Sequence, residues 1–242
     1  MPGAFFENAE QVGSGTRTLP GRPALLVHWR RSPRARRLSL RVSRLDGKIT
    51  LTMPLLVSPH QADAFLIERE AWLRRALAGL PTAASVAPGC LLPVEGQWLE
   101  ITPGAVRLTR IEGQRLLVPQ RGAPGRLVRA FLQMRARDRL AARVDHFADR
   151  LGKRSGKLTL RDTRSRWGSC NAAGDLMFSW RLIMAPPEVL DYVAAHEVAH
   201  LVEMNHSAAF WAQVARLMPG YAAPRKWLRD EGGSLHRFRF EG

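Results

Sequence analysis

Residues 186–202 constrain this chain more than any other stretch. The pair Pro186 and Pro187 suits a first helical turn, where a missing amide donor does no harm, and the pattern predicts a helix continuing through Val189, Leu190, Val193, Val198, Leu201 and Val202. Apolar residues run nearly all the way round this helix, as they do in helices that are buried. It nevertheless carries His196, Glu197 and His200, and an interior polar side chain without a partner is costly. Metal ligation resolves that cost.

On a helix, the four-residue interval puts His196 and His200 about one turn apart on one face, so that two imidazoles can converge on one ion. Glu197 lies about 100° round from His196, within reach of a water in the ion's open position, and is the natural general base. The chemistry expected is peptide-bond hydrolysis by a water that one zinc ion activates. A third protein ligand is needed. His206 is favoured, because Asn205 tolerates the left-handed conformation that ends a helix, and Ser207 can cap a following helix carrying Phe210, Trp211, Val214 and Leu217 before Gly220. The rival is Glu203, seven residues beyond His196, which reaches the ion if the helix stays regular; two histidines with Glu203 would also suit a mononuclear iron centre.

Upstream, residues 1–23 are rich in Gly, Pro and Thr and read as a flexible leader. Leu25, Val27 and Trp29 then alternate, followed by Leu38, Leu40 and Val42 and by Ile49, Leu51 and Met53, with Asp46 and Gly47 as a hairpin turn; together they predict a small antiparallel sheet. Ser58 and Pro59 open a helix carrying Ala62, Phe65, Leu66, Trp72, Leu73 and Leu77, which Gly79 and Pro81 close. Short strands are expected at 98–102, 106–110 and 116–118, with Gly113 in the last turn and a joint at 122–125. A long helix over 126–151 turns Leu127, Phe131, Leu140, Val144, Phe147 and Leu151 to the core, exposes an arginine-rich face and ends at Gly152. Strands over 158–161 and 176–183, with turn residues 171–174 between them, precede the histidine helix.

Hydrophobic residues at 45% and charged residues at 24% are the composition of a packed globular chain. The N-terminus has neither the basic nor the apolar region of a secretory signal, and no stretch nears the roughly 18 apolar residues of a membrane-spanning helix. Cys90 and Cys170 form no CxxC pair, which argues against a thiolate zinc site and fits a reducing cytoplasm. The formal charge of +16 is concentrated, since Arg30, Arg31, Arg34, Arg36, Arg37, Arg41, Arg44 and Lys48 crowd together with Asp46 as their one acid. Nucleic-acid contact and an ordinary solvated surface both account for this cluster, and 33 arginines against 4 lysines show that biased composition contributes. Oligomeric state is not legible.

Residues 164–170 (RSRWGSC), 180–187 (WRLIMAPP), 196–200 (HEVAH) and 204–207 (MNHS) resemble the YgjP-like metallopeptidase family, which is related to SprT-type proteases. The resemblance extends upstream to 36–42 (RRLSLRV) and covers roughly residues 24–235. It implies an α+β fold: a small N-terminal antiparallel sheet with a helix over 24–122, then a zincin-like helical metallopeptidase region with a short β-hairpin over 123–242. It implies His196, His200 and His206 as zinc ligands, Glu197 as the catalytic glutamate, and a protein or peptide substrate. Arg164, Arg166, Trp167 and Ser169 belong to the family's second motif; substrate contact and plain packing both remain open for them. A different class of reading makes the chain a nucleic-acid-binding module whose metal only braces the fold.

Overall fold

The computed structural model describes residues 13–43, 47–79 and 82–240. The chain forms two compact units, Met1–Thr82 and Ala83–Gly242, and each has its own cluster of buried apolar side chains. The division falls earlier than the 122/123 boundary expected from the sequence.

The first unit is a four-stranded sheet with two helices. Strands β1 (Ser14–Leu19), β2 (Leu25–Arg31), β3 (Ser39–Val42) and β4 (Ile49–Met53) lie in the order β1-β2-β4-β3. Val27, Ile49, Leu51 and Met53 are buried at every second position, as a one-sided sheet requires. Strands β1 and β3 pair antiparallel to their neighbours, but β2 and β4 run parallel, so the sheet is mixed where a purely antiparallel one was expected. Strand β1 lies within the stretch read as a leader, with Leu19 buried, so that expectation fails for 14–19; residues 1–12 lie outside the described residues, as do Asp46 and Pro81. The single helix expected over 58–79 is two, α1 (Pro59–Glu68) and α2 (Glu70–Ala78), because Arg69 leaves helical geometry at φ −94°, ψ 1°. Ser58 and Gln61 form a reciprocal cap at its start.

The second unit begins with β5 (Ala84–Ser85), β6 (Leu91–Val94), β7 (Gln97–Gly104), β8 (Arg110–Glu112) and β9 (Arg115–Pro119), of which the last four form a sheet ordered β6-β7-β9-β8. Glu95 and Gly96 turn the β6-β7 hairpin with positive φ at both residues, 49° and 77°. The strand expected over 106–110 is absent; Leu108 there is 79% exposed. Helix α3 (Pro124–Leu151) takes in part of the expected joint. Gly125 is buried in it because a Cβ would lie 3.0 Å from the Phe240 carbonyl oxygen. Its core stripe is Val128, Leu132, Ala136, Leu140 and Val144, spaced by four, each large side chain contributing about 2 kcal/mol through burial. Leu127, Phe131 and Leu151 flank that stripe half-buried.

Strands β10 (Leu158–Arg161), β11 (Gly168–Cys170) and β12 (Leu176–Ser179) form a sheet ordered β10-β12-β11; β10 pairs with β12 in parallel, and the strand that forms a hairpin with β12 across residues 171–174 is β11, which was not expected from the sequence. The strand expected to reach Ile183 stops at Ser179, and Trp180–Met184 form a buried 3-10 helix. Helices α4 (Pro187–Ala199), α5 (Ala208–Leu217) and α6 (Ala222–Asp230) follow, then a 3-10 turn and β13 (Phe238–Arg239), which pairs with β5. The arginine face of α3 is partly consumed in packing: Arg135 and Arg139 pair with Glu95 at 2.5 and 3.1 Å, and Arg143 pairs with Asp191 of α4 at 3.0 Å. Buried Arg181 donates to both Asp162 carboxylate oxygens at 2.7 and 3.2 Å and to the Leu235 and Phe238 carbonyls, which anchors the C-terminal segment. The α+β class holds. No described helix is long and apolar enough to cross a membrane.

Candidate metal centre and substrate cleft

Helix α4 is buried along almost its whole length and ends sooner than its apolar pattern predicts, with His200 as the capping residue. Past it the chain tightens into turns, in which the amides of Val202 and Glu203 both bond to the Ala199 carbonyl. His200 Nδ1 donates to the Glu203 carbonyl at 2.9 Å, which fixes the tautomer and leaves the Nε2 lone pair free. Asn205 does not take the left-handed conformation; Glu95 is the positive-φ non-glycine residue among the described residues. Ser207 does cap α5, accepting from the Phe210 amide at 3.3 Å.

This path brings His206 back over α4. His206 Nε2 and His196 Nε2 are 3.1 Å apart, and His196, His200 and His206 each offer a ligand atom within 4.8 Å of the others. Two nitrogens bound to one tetrahedral zinc at 2.0–2.1 Å would be about 3.3 Å apart, which the His196–His206 pair matches, with His200 within 4.8 Å of both. Buried Phe210 lies beneath them, its ring 4.4–4.9 Å from all three imidazoles. Burial, then the neighbouring imidazoles, holds His196 at about 4, and burial lowers His200 as well; both rings stay neutral and able to ligate. His196 Nδ1 is buried without a hydrogen-bond partner. The helix ends before Glu203, whose carboxylate is outside the group; its carbonyl is what serves the site.

Glu197 is 6% exposed. Burial pushes its carboxyl up to about 7, while the Arg166 guanidinium pulls it the other way. Facing it is Gly168 of β11, where a Cβ would lie 2.5 Å from Glu197 Oε1. Two clefts of about 230 Å³ each share Gly168, His196 and Glu197. One continues along Arg166, Trp167, Tyr192 and Leu228, the other along Ser169, Cys170, Met204 and His206. Thus Arg166, Trp167 and Ser169 gather at the site, while Arg164 is exposed and lines neither cleft. Burial raises the Cys170 thiol, with Glu197 and Asp175 adding to the rise, so it stays protonated.

Sequence reasoning missed Gly168, Tyr192 and Arg225. Tyr192 stacks on Tyr221, Tyr221 on Trp211, and Arg225 sits 4.3 Å over Trp211, so an aromatic wall runs beside His196 and His206. A signal existed for Tyr192, which precedes His196 by four residues and shares its helical face.

Trp167 packs on His236 at 5.2 Å between ring centroids. Burial, then Arg181, holds buried His236 at about 4, with Asp162 pulling upward. An unfolded histidine titrates near 6.5, so the unfolded chain takes up this proton first and stability falls as pH drops from about 6.5 to about 4. His236 should contribute about 2–3 kcal/mol to that loss. Denaturant unfolding of wild type and His236→Gln at pH 7 and pH 4 measures it. The variant is expected to lose less, and equal losses would mean that His236 is not held neutral.

In the first unit Arg31 is a correction to the proposed basic surface: it is buried and donates to the Leu55 carbonyl. Arg30 bonds Thr52 Oγ1 at 3.2 Å, and Arg34, Arg36, Arg37 and Arg41 are exposed.

The α+β fold and its three-histidine cleft are those of a metallopeptidase, a hydrolase of peptide bonds. Residues 36–231 match the YgjP-like metallopeptidase domain, and the chain belongs to the YgjP-like family. It is also similar to the crystal structure of the metallopeptidase zymogen of Pyrococcus abyssi abylysin, with 22% identity and a TM-score of 0.34 over 38% of this chain and 95% of that one. No curated protein matches it.

Proposed function

We propose that the chain is a zinc-dependent peptidase in which His196, His200 and His206 hold one ion and Glu197 is the general base. The convergence of the three imidazoles beside a buried carboxylate carries this reading. When bound, zinc supplies Lewis acidity, which makes a water acidic and polarises a carbonyl. Glu197, raised toward neutrality by burial, accepts the proton of the attacking water and returns it to the departing amine. Strand β11 lies at the edge of its sheet next to α4, and a substrate can pair with it as an added strand. Arg166 is the charged group that Glu197 feels most directly, and in this reading its role is to meet the oxygen of the scissile carbonyl.

A metal that only braced a fold would have all four positions closed by protein ligands, and among the described residues the group holds three. The test is elemental analysis with a peptidase assay. The native chain should carry one equivalent of zinc and cleave unfolded protein, and His206→Ala should lose both; full metal in His206→Ala would remove His206 from the ligand set. The exposed Arg34, Arg36, Arg37 and Arg41 support a second reading, action near nucleic acid, whose signature would be DNA binding that weakens steeply with salt.

A further inference from the structure

Beside β11 lies a pocket of about 520 Å³ that shares Arg166, Ser169 and Cys170 with the two clefts of Glu197. Its floor is built by register: Thr159 of β10, Met177 of β12 and Ser169 of β11 are cross-strand neighbours and line it together. Gly168 points the other way, toward Glu197, as the two-residue alternation of a strand demands. Two arginines reach the pocket, Arg161 from β10 and Arg166 from the segment before β11. Neither has an ion-pair partner among the described residues. The acid present, Asp175, is already engaged, since Oδ1 accepts the Lys157 amide at 2.8 Å and Oδ2 accepts Asn171 Nδ2 at 3.2 Å.

We propose that this pocket is a specificity subsite that takes an acidic side chain, aspartate or glutamate, of the peptide being cleaved. The inference rests on the proposed peptidase reading and adds the substrate class. A peptide added along the β11 edge directs alternate side chains to the two faces of the sheet. Those on one face enter the cleft of His196 and Glu197; those on the other stand over Ser169, beside Arg166 and within reach of Arg161. A carboxylate there meets two guanidiniums and the hydroxyls of Thr159 and Ser165, against the single charge of Asp175, whose oxygens are held by the Lys157 amide and Asn171; the Thr163 hydroxyl is spent on the Arg166 carbonyl. Arg166 lines both this pocket and the cleft, which couples the subsite to the reacting bond.

The test uses the full chain loaded with zinc and unstructured peptides in which glutamate or glutamine is placed at each position in turn. Two readouts are taken: kcat/KM of cleavage by wild type, and anisotropy of labelled peptides bound to Glu197→Gln. Glutamate is expected to be preferred about tenfold at one position or at alternating positions. Arg161→Gln should cut the preference to under about twofold, and Arg161→Glu should turn it toward lysine. Arg107→Gln removes the same charge from an exposed site outside the pocket and should leave the preference intact. Preference spread evenly over all positions, or an equal loss in Arg107→Gln, would assign the effect to the overall positive field and overturn the subsite. If no peptide is cleaved but Glu197→Gln still binds glutamate peptides selectively through Arg161, the peptidase reading fails and the subsite stands. Cleavage without any acidic preference has the opposite meaning.

Discussion

Exchanging Glu197 for glutamine is expected to lower kcat by about 10²–10⁴-fold, the range for loss of a positioned general base, with bound metal unchanged. Glutamine has the same shape and fills the same buried space, and the three imidazoles that converge nearby keep their own supports: Phe210 beneath all three and the Glu203 carbonyl on His200. What disappears is a group able to accept a proton. Burial holds the Glu197 carboxyl at about 7, which is where a base best combines availability with driving force at neutral pH. The cost of keeping a carboxylate 6% exposed disappears with it, so the variant should be no less stable than wild type. Elemental analysis, kcat on an unfolded protein substrate and a denaturant midpoint together make the measurement. Retained kcat with full metal would take Glu197 out of the reaction, whereas lost metal would mean that the substitution damaged the site.

The parts of this site that were legible in the sequence are those set by helical spacing. His196, Glu197 and His200 share one turn of a regular helix, so their mutual placement follows from the backbone alone. His206 followed from a bend, and the bend is real although its cause was misread: the helix ends because His200 and the amides of residues 202 and 203 capture local carbonyls, and Asn205 plays no left-handed part. The same early end takes the Glu203 carboxylate out of contention. Strand limits were less legible, because apolar runs fit several structures: Trp180–Met184 is a buried 3-10 helix with the composition of a strand. Parallel pairing of β2 with β4 is set by long-range packing and leaves no mark on the alternation of either strand. The arginines of α3 looked like a solvated face, yet Arg135, Arg139 and Arg143 meet acids from distant segments, and Arg31 meets a carbonyl more than twenty residues on. Charge in a sequence has no address until the fold supplies its partner.

Gly168→Ala is expected to reduce kcat by about 10²-fold, again without loss of metal. Gly168 does not hold a left-handed φ, so alanine suits its backbone, and the obstacle is the space that Glu197 occupies. An added Cβ would stand 2.5 Å from Oε1, 2.6 Å from Cγ and 2.8 Å from Cδ of that side chain, all well inside van der Waals contact. Either the carboxylate swings off its line to the three histidines or β11 lifts from α4, and a shift of about 1 Å at a catalytic group is enough for a loss of this size. Overpacking of this kind should also cost about 1–3 kcal/mol of stability. A double-mutant cycle separates this account from a general weakening of the sheet. Glu197→Ala removes the colliding atoms, so adding Gly168→Ala to it should cost little further stability, and adding Gly168→Ala to Glu197→Gln should lower the residual rate only slightly, because the group through which Gly168 acts is already disabled. If the stability penalty of Gly168→Ala persists undiminished beside Glu197→Ala, the contact with Glu197 is not its origin, and the glycine serves the strand and not the carboxylate.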